Sequence, residues 1–357
     1  MKKINHLPSR VLEIDGVEKL FFSGTAYFGM GHQTAFRTAL LEGLARYGTV
    51  FSVSRNNNLQ LDVYDEAENW LQKSCGSEAA LTVSSGMLAG QILLKTYLSN
   101  VPDSNFIVFP KTHPALWRKM PPPQYPSPKF NNFAKKTVEM LENIPSSQHF
   151  ALLFNSVDPL FCEPHDFDWI EKLPKRHKIS LICDDSHGFG LWQSNGNCLF
   201  DVLQKKLISE QHEVIVSTSM GKALGVSGGL ILGSQMVIDS VRRSGWFGGA
   251  SPIPPAMLFA FLEIKNIYPQ YLTDLQKNIH LFKSKINTSL LFDELPNFPV
   301  FHVKDHSLYD FLYERNIFIS NFPYPTADAA PLSRVILSAL HTDEDINYLA
   351  NCLKQFS

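Results

Sequence analysis

The run from Val214 to Leu232 leaves the chain few folding options. Val214–Val216 is short, apolar and β-branched. Hydroxylated residues follow at 217–219, then Lys222, then glycines at 225, 228 and 229 and a second apolar run, Leu230–Leu232. Brief apolar runs bounded by glycine and serine read as sheet strands. Lys222 therefore belongs on a sharp turn at a strand end, with no bulky neighbour blocking its amine. A flexible arm, nearby hydroxyls to anchor an anion and room for a flat ring are what a Schiff-base lysine needs. A solvated lysine in a Gly/Ser turn has the same local pattern.

Ser180–Gly190, SLICDDSHGFG, decides between the two. An apolar strand ends at Asp184, and open α/β sheets bind ligands in the crevice outside the carboxyl ends of their strands. There Asp184 can pair with a protonated pyridine nitrogen and keep the ring cationic, while His187 can lie beside the ring and hydrogen-bond its phenolic oxygen. The other readings of Asp-Asp-x-His are a loop carboxylate pair or half a metal site. No second His/Asp/Glu cluster stands at ligand spacing, so no metal is expected.

Glu78–Leu94, EAALTVSSGMLAGQILL, is a short strand, a Ser-Ser-Gly turn and a helix. Amides at a helix N-terminus beside the Ser84 and Ser85 hydroxyls make an anion site; alone, the pattern is more often a plain N-cap. An anion turn, a ring-nitrogen carboxylate and a turn lysine, in that chain order, describe a site for pyridoxal 5'-phosphate.

Helical and strand patterns alternate between these windows. Helices are expected over Thr34–Tyr47, Val63–Ser74, Met87–Leu98 and Asp166–Lys172. Strands are expected over Ala79–Val83, Asn105–Phe109, Phe150–Phe154, Ile179–Cys183 and Glu213–Ser217. Such alternation predicts an α/β fold with a mostly parallel central sheet flanked by helices. Residues 1–35 read as an N-terminal arm, 36–250 as a large cofactor-binding domain and 251–357 as a small α+β C-terminal domain. The last begins with a long helix, Ala256–Leu290, followed by strands near Val300–Val303 and Arg334–Leu337. The stretch Met120–Lys129, MPPPQYPSPK, reads as a surface loop.

A chain of 357 residues with 44% hydrophobic content can bury a large core. Its formal charge of −2 gives no general pull on nucleic acid or an anionic membrane. Lys111, Arg118 and Lys119 form one basic patch that could steer an acyl-CoA, although a solvated helix face explains it as well. Five cysteines without a CxxC pair point to a reducing compartment. With no apolar leader and no membrane-length run, a soluble cytoplasmic protein is expected.

At these windows the chain resembles the α-oxoamine synthases of the fold-type I pyridoxal-phosphate enzymes. CDDSHGFG is similar to that family's VDDAHGxG, and STSMGKALGVSGG to its TFGKxxGxxGG. Ser23–Met30, SGTAYFGM, resembles SSNDYLGL, and VSSGMLAGQ resembles SGFxANQ. Lys111–Trp117, Ser156–Pro159, Ala250–Ala256 and Ser333–Ile346 match four further family segments in order.

The resemblance implies a role for each matching residue. Lys222 would carry the cofactor and move the substrate's α-proton, Asp184 would pair with the ring nitrogen, and His187 would contact the ring oxygen. His113 would stack on the ring, and Ser156 would lie near the ring oxygen or substrate carboxylate. Ser85, Gly86, Met87 and Ser219 would hold the phosphate, with Ser251 contributed across a homodimer interface. Arg334 would grip the amino-acid carboxylate, where its bidentate fork is apt. On the residues alone, the alternative to these roles is an exposed strand-end arginine for Arg334 and a loop histidine before Pro114 for His113.

The resemblance also implies the reaction: condensation of a small amino acid with an acyl-CoA, with loss of CO2. An aminotransferase shares every cofactor residue, and a non-catalytic cofactor-binding homologue is a third reading. Four departures bear on that choice. Thr25 replaces the family asparagine and is expected in the substrate site. VFSVSR (Val50–Arg55) lacks the family glycines, Gln60 stands about where a histidine would fall, and Leu152 replaces a glutamate. All four are expected on the substrate side.

Overall fold

The computed structural model describes residues 2–118, 128–192, 199–324 and 326–356. The chain opens with a hairpin, β1 (Val11–Ile14) and β2 (Val17–Phe22). Its two-residue loop is Asp15–Gly16, with φ of 54° and 78°. Positive φ at both central positions is the type I′ requirement that Asp-Gly satisfies.

The central sheet is built from β3 (Ala79–Val83), β4 (Phe106–Val108), β5 (His149–Asn155), β6 (Lys178–Asp184), β7 (His212–Ser219) and β8 (Gly229–Gly233). Their spatial order is β3-β8-β7-β6-β5-β4. Strands β4 to β7 run parallel, while β8 pairs antiparallel with both β7 and β3. β5 and β6 are buried along almost their whole length, as strands covered on both faces must be. This is the mostly parallel, helix-flanked sheet that the alternation predicts.

The C-terminal part contributes β9 (Phe292–Glu294), β10 (Val300–Val303), β11 (Ile317–Pro323) and β12 (Pro331–Ile336) to a second sheet, ordered β1-β2-β11-β12-β10-β9. The N-terminal hairpin is thus an edge of the C-terminal sheet, with β2 running parallel to β11.

The helix over 34–47 and strand β3 occupy the expected residues; other elements differ for local reasons. Residues 168–172 form a 3-10 turn rather than a helix from Asp166. The Asp166 carboxylate accepts the Asp168 N–H at 2.9 Å, competing with helical pairing, and Pro174 forces Leu173 into extended backbone. The long helix expected over 256–290 is three helices: Pro255–Ile264, Tyr268–Lys285 and Thr288–Leu291. Pro269 has no N–H to continue the ladder from the Lys265 carbonyl, and Ile286 is extended. A helix over Phe130–Glu142, not expected, follows the proline-rich stretch; residues 120–127 of that stretch and Lys119 lie outside the described residues.

Three of the four departures do not line this chain's own cleft. Leu152 is fully buried in the middle of β5, and Gln60 is exposed, donating to the Asn57 carbonyl. Arg55 is buried and forks onto Glu68 at 2.9 and 3.2 Å. Glu68 also takes the Arg242 guanidinium at 2.6 Å and the Thr82 N–H at 2.8 Å.

A buried ion cluster is costly to break because the survivor keeps an uncompensated charge. Glu68→Gln is expected to cost about 3–5 kcal/mol in urea denaturation, the usual range for removing one buried partner. A loss below about 1 kcal/mol would show that water reaches the two guanidinium groups.

Candidate active site

Asp184 is the last residue of β6, and its register partner on β7 is Ser217, two residues before the strand ends. Adjacent parallel strands deliver their C-terminal ends to one edge, so Asp184 and the Lys222 turn arrive together. Gly225 in that turn has φ of 67°, and a Cβ there would meet Met30 at 2.3 Å. Glycine is the residue that fits.

One cleft brings together six of the expected residues: Thr25, His113, Asp184, His187, Lys222 and Arg334. They come from the N-terminal arm, the central sheet and the C-terminal sheet. Burial and the Arg334 cation push the Lys222 amine down, against the pull of Asp184 and Asp185, to about 8. Burial likewise lowers His113, opposed by Asp184. His113 Nδ1 lies 3.5 Å from the Asp184 carboxylate and accepts the Ala115 N–H at 3.2 Å. Asp184 itself accepts the Ser186 N–H at 2.9 Å.

Arg334 is 5% exposed, in the middle of β12, and is not a strand-end surface arginine. One guanidinium nitrogen donates to the Pro159 carbonyl at 2.6 Å, while Nε is buried without a partner among the described residues. An unsatisfied buried donor calls for an acceptor. Arg334 lines the cleft, so its guanidinium is placed to meet a ligand carboxylate there.

Ser85, Gly86, Met87 and Ser219 sit beside the cleft. Ser85 caps the helix Gly86–Lys95, accepting the Leu88 N–H at 3.1 Å. The first amides of that helix have no intrahelical partner. A Cβ on Gly86 would come within 2.7 Å of Ser219 Cβ, so the helix end and the end of β7 close into a cradle. The Ser219 N–H donates to Ser186 Oγ, which links the cradle to the cleft. A small anion fits at this helix N-terminus.

Two further expected residues do not line this chain's cleft. Ser156 is 1% exposed and lines a neighbouring cavity with Gly188 and Trp192, not the cleft. Its backbone N–H donates to the Asp184 carbonyl. Ser251 is exposed in the linker before the helix Pro255–Ile264 and does not line this chain's own cleft.

The basic patch is also different. Lys111 lies in a turn with φ of 59° and pairs with Asp158 at 2.9 Å and Glu163 at 2.7 Å. Arg118 pairs with Asp103 at 2.7 Å and lies over the Phe106 ring. Both charges are countered and neither residue is on a helix face.

The structure adds residues that local patterns do not reveal. Tyr27, buried at 1% exposure, contacts His187 Nδ1 at 2.8 Å. Asn155 accepts the His113 N–H at 3.0 Å and donates to the Lys111 carbonyl at 2.8 Å, fixing the loop that carries both. Phe322 packs under the Arg334 guanidinium, 5.1 Å from ring centre to carbon. Among the described residues no group of three His, Cys, Asp or Glu side chains is placed to hold a metal ion.

The residues fit pyridoxal phosphate. The cradle suits the phosphate, Asp184 the ring nitrogen, and Lys222 the aldehyde carbon.

Comparison with known proteins agrees. The profile of the family "Aminotransferase class I and II" matches residues 34–353. An 8-amino-7-oxononanoate synthase of Petrotoga mobilis is 24% identical over 361 residues, covering 94% of this chain and 88% of the relative. The fold is that of serine palmitoyltransferases. The Sphingomonas wittichii enzyme superimposes with a TM-score of 0.80 at 16% identity, over 99% of this chain and 91% of that one. A serine palmitoyltransferase solved with its PLP internal aldimine gives 0.80, also at 16%, over 99% and 92%. These relatives are α-oxoamine synthases, the group that the sequence segments resemble. With the profile spanning nine-tenths of its length, the lysine and carboxylate sharing one cleft and the anion cradle linked to it through Ser186, the chain is a pyridoxal-phosphate-dependent transferase of fold type I and belongs to the class I and II aminotransferase family.

Proposed function

We propose that this protein condenses a small amino acid with an acyl-CoA, releasing CO2 and free CoA and leaving an α-amino ketone. The observation that carries the reading is that Lys222, Asp184 and Arg334 open onto one cleft. The choice of acyl transfer rests on end-to-end similarity to a protein named 8-amino-7-oxononanoate synthase.

Bound pyridoxal phosphate supplies a cationic ring that takes up the electron pair left when the α-proton departs. The protein's own groups do the rest. Arg334, which lines the cleft, orients the substrate carboxylate through its guanidinium. Lys222 Nζ, with its affinity for protons lowered by burial, takes the α-proton and returns it later. Asp184 keeps the ring nitrogen protonated, and His113 covers the ring face. The apolar wall of Val157, Leu160 and Phe322 keeps water from the reacting carbon.

The same reading takes the active unit to be a homodimer in the cytoplasm, with Ser251 of the partner subunit completing the phosphate cradle. Supporting it, Leu41, Val50, Leu59, Met87 and Trp246 are large apolar residues left 48–69% exposed. The loop bearing Val50 and Leu59 is tied to the Trp246 helix by Ser54, which donates to the Gly248 carbonyl, and to the helix before it by Asn56, which donates to the Arg242 carbonyl. Exposed apolar side chains on a linked loop and helix, such as Val50, Leu59 and Trp246, are what an interface presents. Among the described residues no helix is long and apolar enough to cross a membrane.

An assay that offers candidate amino acids with acyl-CoAs or with 2-oxo acids separates the readings. Amino-acid-dependent release of free thiol is the expected result. Pyridoxamine phosphate formed without thiol release would assign an aminotransferase instead. Silence in both, with the cofactor tightly bound, would point to a non-catalytic homologue re-tuned at positions such as Thr25.

A further inference from the structure

Tyr27 reaches the site from the N-terminal arm, 160 residues before its partner. Its ring is 1% exposed, and its hydroxyl lies 2.8 Å from His187 Nδ1. The backbone around it is fixed: the Tyr27 carbonyl accepts the Ala339 N–H at 2.9 Å, and its ring packs edge-on against Phe298. Gly29 follows at φ 63°, where a Cβ would collide with Leu340. The hydroxyl therefore has one position, and in that position His187 is its sole hydrogen-bond partner among the described residues.

This contact has two possible directions. If His187 carried its proton on Nδ1 and donated it, the phenol O–H would be left without an acceptor in a dry interior, costing about 1–3 kcal/mol. If Tyr27 donates, both groups are satisfied. Burial holds the phenol in its protonated form and, with the Lys222, Arg334 and His113 cations or dipoles nearby, holds the imidazole neutral. A neutral imidazole that accepts at one nitrogen carries its proton on the other.

We propose that Tyr27 is a positioning residue that donates to His187 Nδ1 and so fixes His187 as the Nε2–H tautomer, presenting a hydrogen-bond donor to the cleft. His187 lines that cleft. A fixed donor there matches an anionic ring oxygen and would repel a cation or a donor. The arm thus sets the protonation pattern of a residue in the turn that follows β6, and it does so through one bond. The consequence for cofactor binding rests on the reading of His187 as the ring-oxygen contact; the tautomer assignment does not.

The test uses two readouts that separate these claims. In cofactor-free protein labelled with 15N-histidine, the correlation pattern of His187 shows which ring nitrogen holds the proton. Protonated Nε2 in the wild type, giving way to a tautomer mixture in Tyr27→Phe, is the expected result. Protonated Nδ1 in the wild type would overturn the proposal. Affinity for pyridoxal phosphate, titrated by absorbance, is expected to fall about 10-fold in Tyr27→Phe, the lower end for losing a group that orients a ligand contact. The same substitution in a His187→Gln background should then cost nothing. An equal loss in that background would show that Tyr27 does not act through His187. Wild-type affinity in His187→Gln alone would overturn the ring-oxygen reading while the tautomer result stands.

Discussion

Borohydride treatment of the cofactor-loaded protein is expected to fix the pyridoxyl group on Lys222, with no other lysine labelled. Lys222 lines the cleft with Asp184, and burial and Arg334 have brought its amine down to about 8. An ordinary lysine, near 10.4, is almost wholly protonated at neutral pH and reacts slowly as a nucleophile. Because only the neutral amine attacks the aldehyde, the rate of cofactor capture should rise with pH, reach half its plateau near pH 8 and flatten above it. Capture by a surface lysine would keep accelerating past pH 10. Lys222→Ala is expected to remain unlabelled and to lose turnover by about 10⁴-fold, the upper range for removing a positioned base. Peptide mapping that finds the label elsewhere would sink the assignment, as would a capture rate climbing without a plateau.

The parts legible in the sequence are those in which neighbours along the chain settle the outcome. Strand, hydroxyls, lysine and glycines lie within one run, so the Lys222 turn is written locally; the same holds for Asp184 at the end of β6 and for the Ser85 cap. Strand β3 and the helix over 34–47 read correctly because their apolar spacing is undisturbed. What escaped depends on partners far away. Nothing near Tyr27 points to His187, and nothing near Lys111 announces Asp158 and Glu163. Arg55 looked like a remnant of a substrate loop, yet its fork is consumed by Glu68, which only tertiary packing brings near. Element ends failed where a single atom intervenes: the missing N–H of Pro269 breaks one helix, and the Asp166 carboxylate diverts another.

Asp184→Asn is expected to keep the cofactor and lose about 10²–10³-fold in kcat, some 3–4 kcal/mol, as for other single groups aimed at developing charge in a dry site. The cradle at Ser85, Gly86 and Ser219 and the link to Lys222 are untouched by the change, so binding persists. What disappears is the negative charge that keeps a pyridine nitrogen protonated. The loss also removes the pull that supports the His113 proton, so His113 becomes still harder to charge. The neighbouring carboxylate cannot take over. Asp185 is fully buried, accepts the Trp192 indole N–H at 2.6 Å and the Leu199 N–H at 3.2 Å, and does not line the cleft. Burial, offset in part by those donors and by the Ser156 hydroxyl, raises it to about 7, a group shielded from the site rather than poised in it. Asp185→Asn is therefore the matched control, expected to retain turnover within about 10-fold, since a structural amide can keep part of the bonding to Trp192 and Leu199. Near-normal turnover in Asp184→Asn together with collapse in Asp185→Asn would exchange the two roles and require the strand to present its side chains to the opposite face.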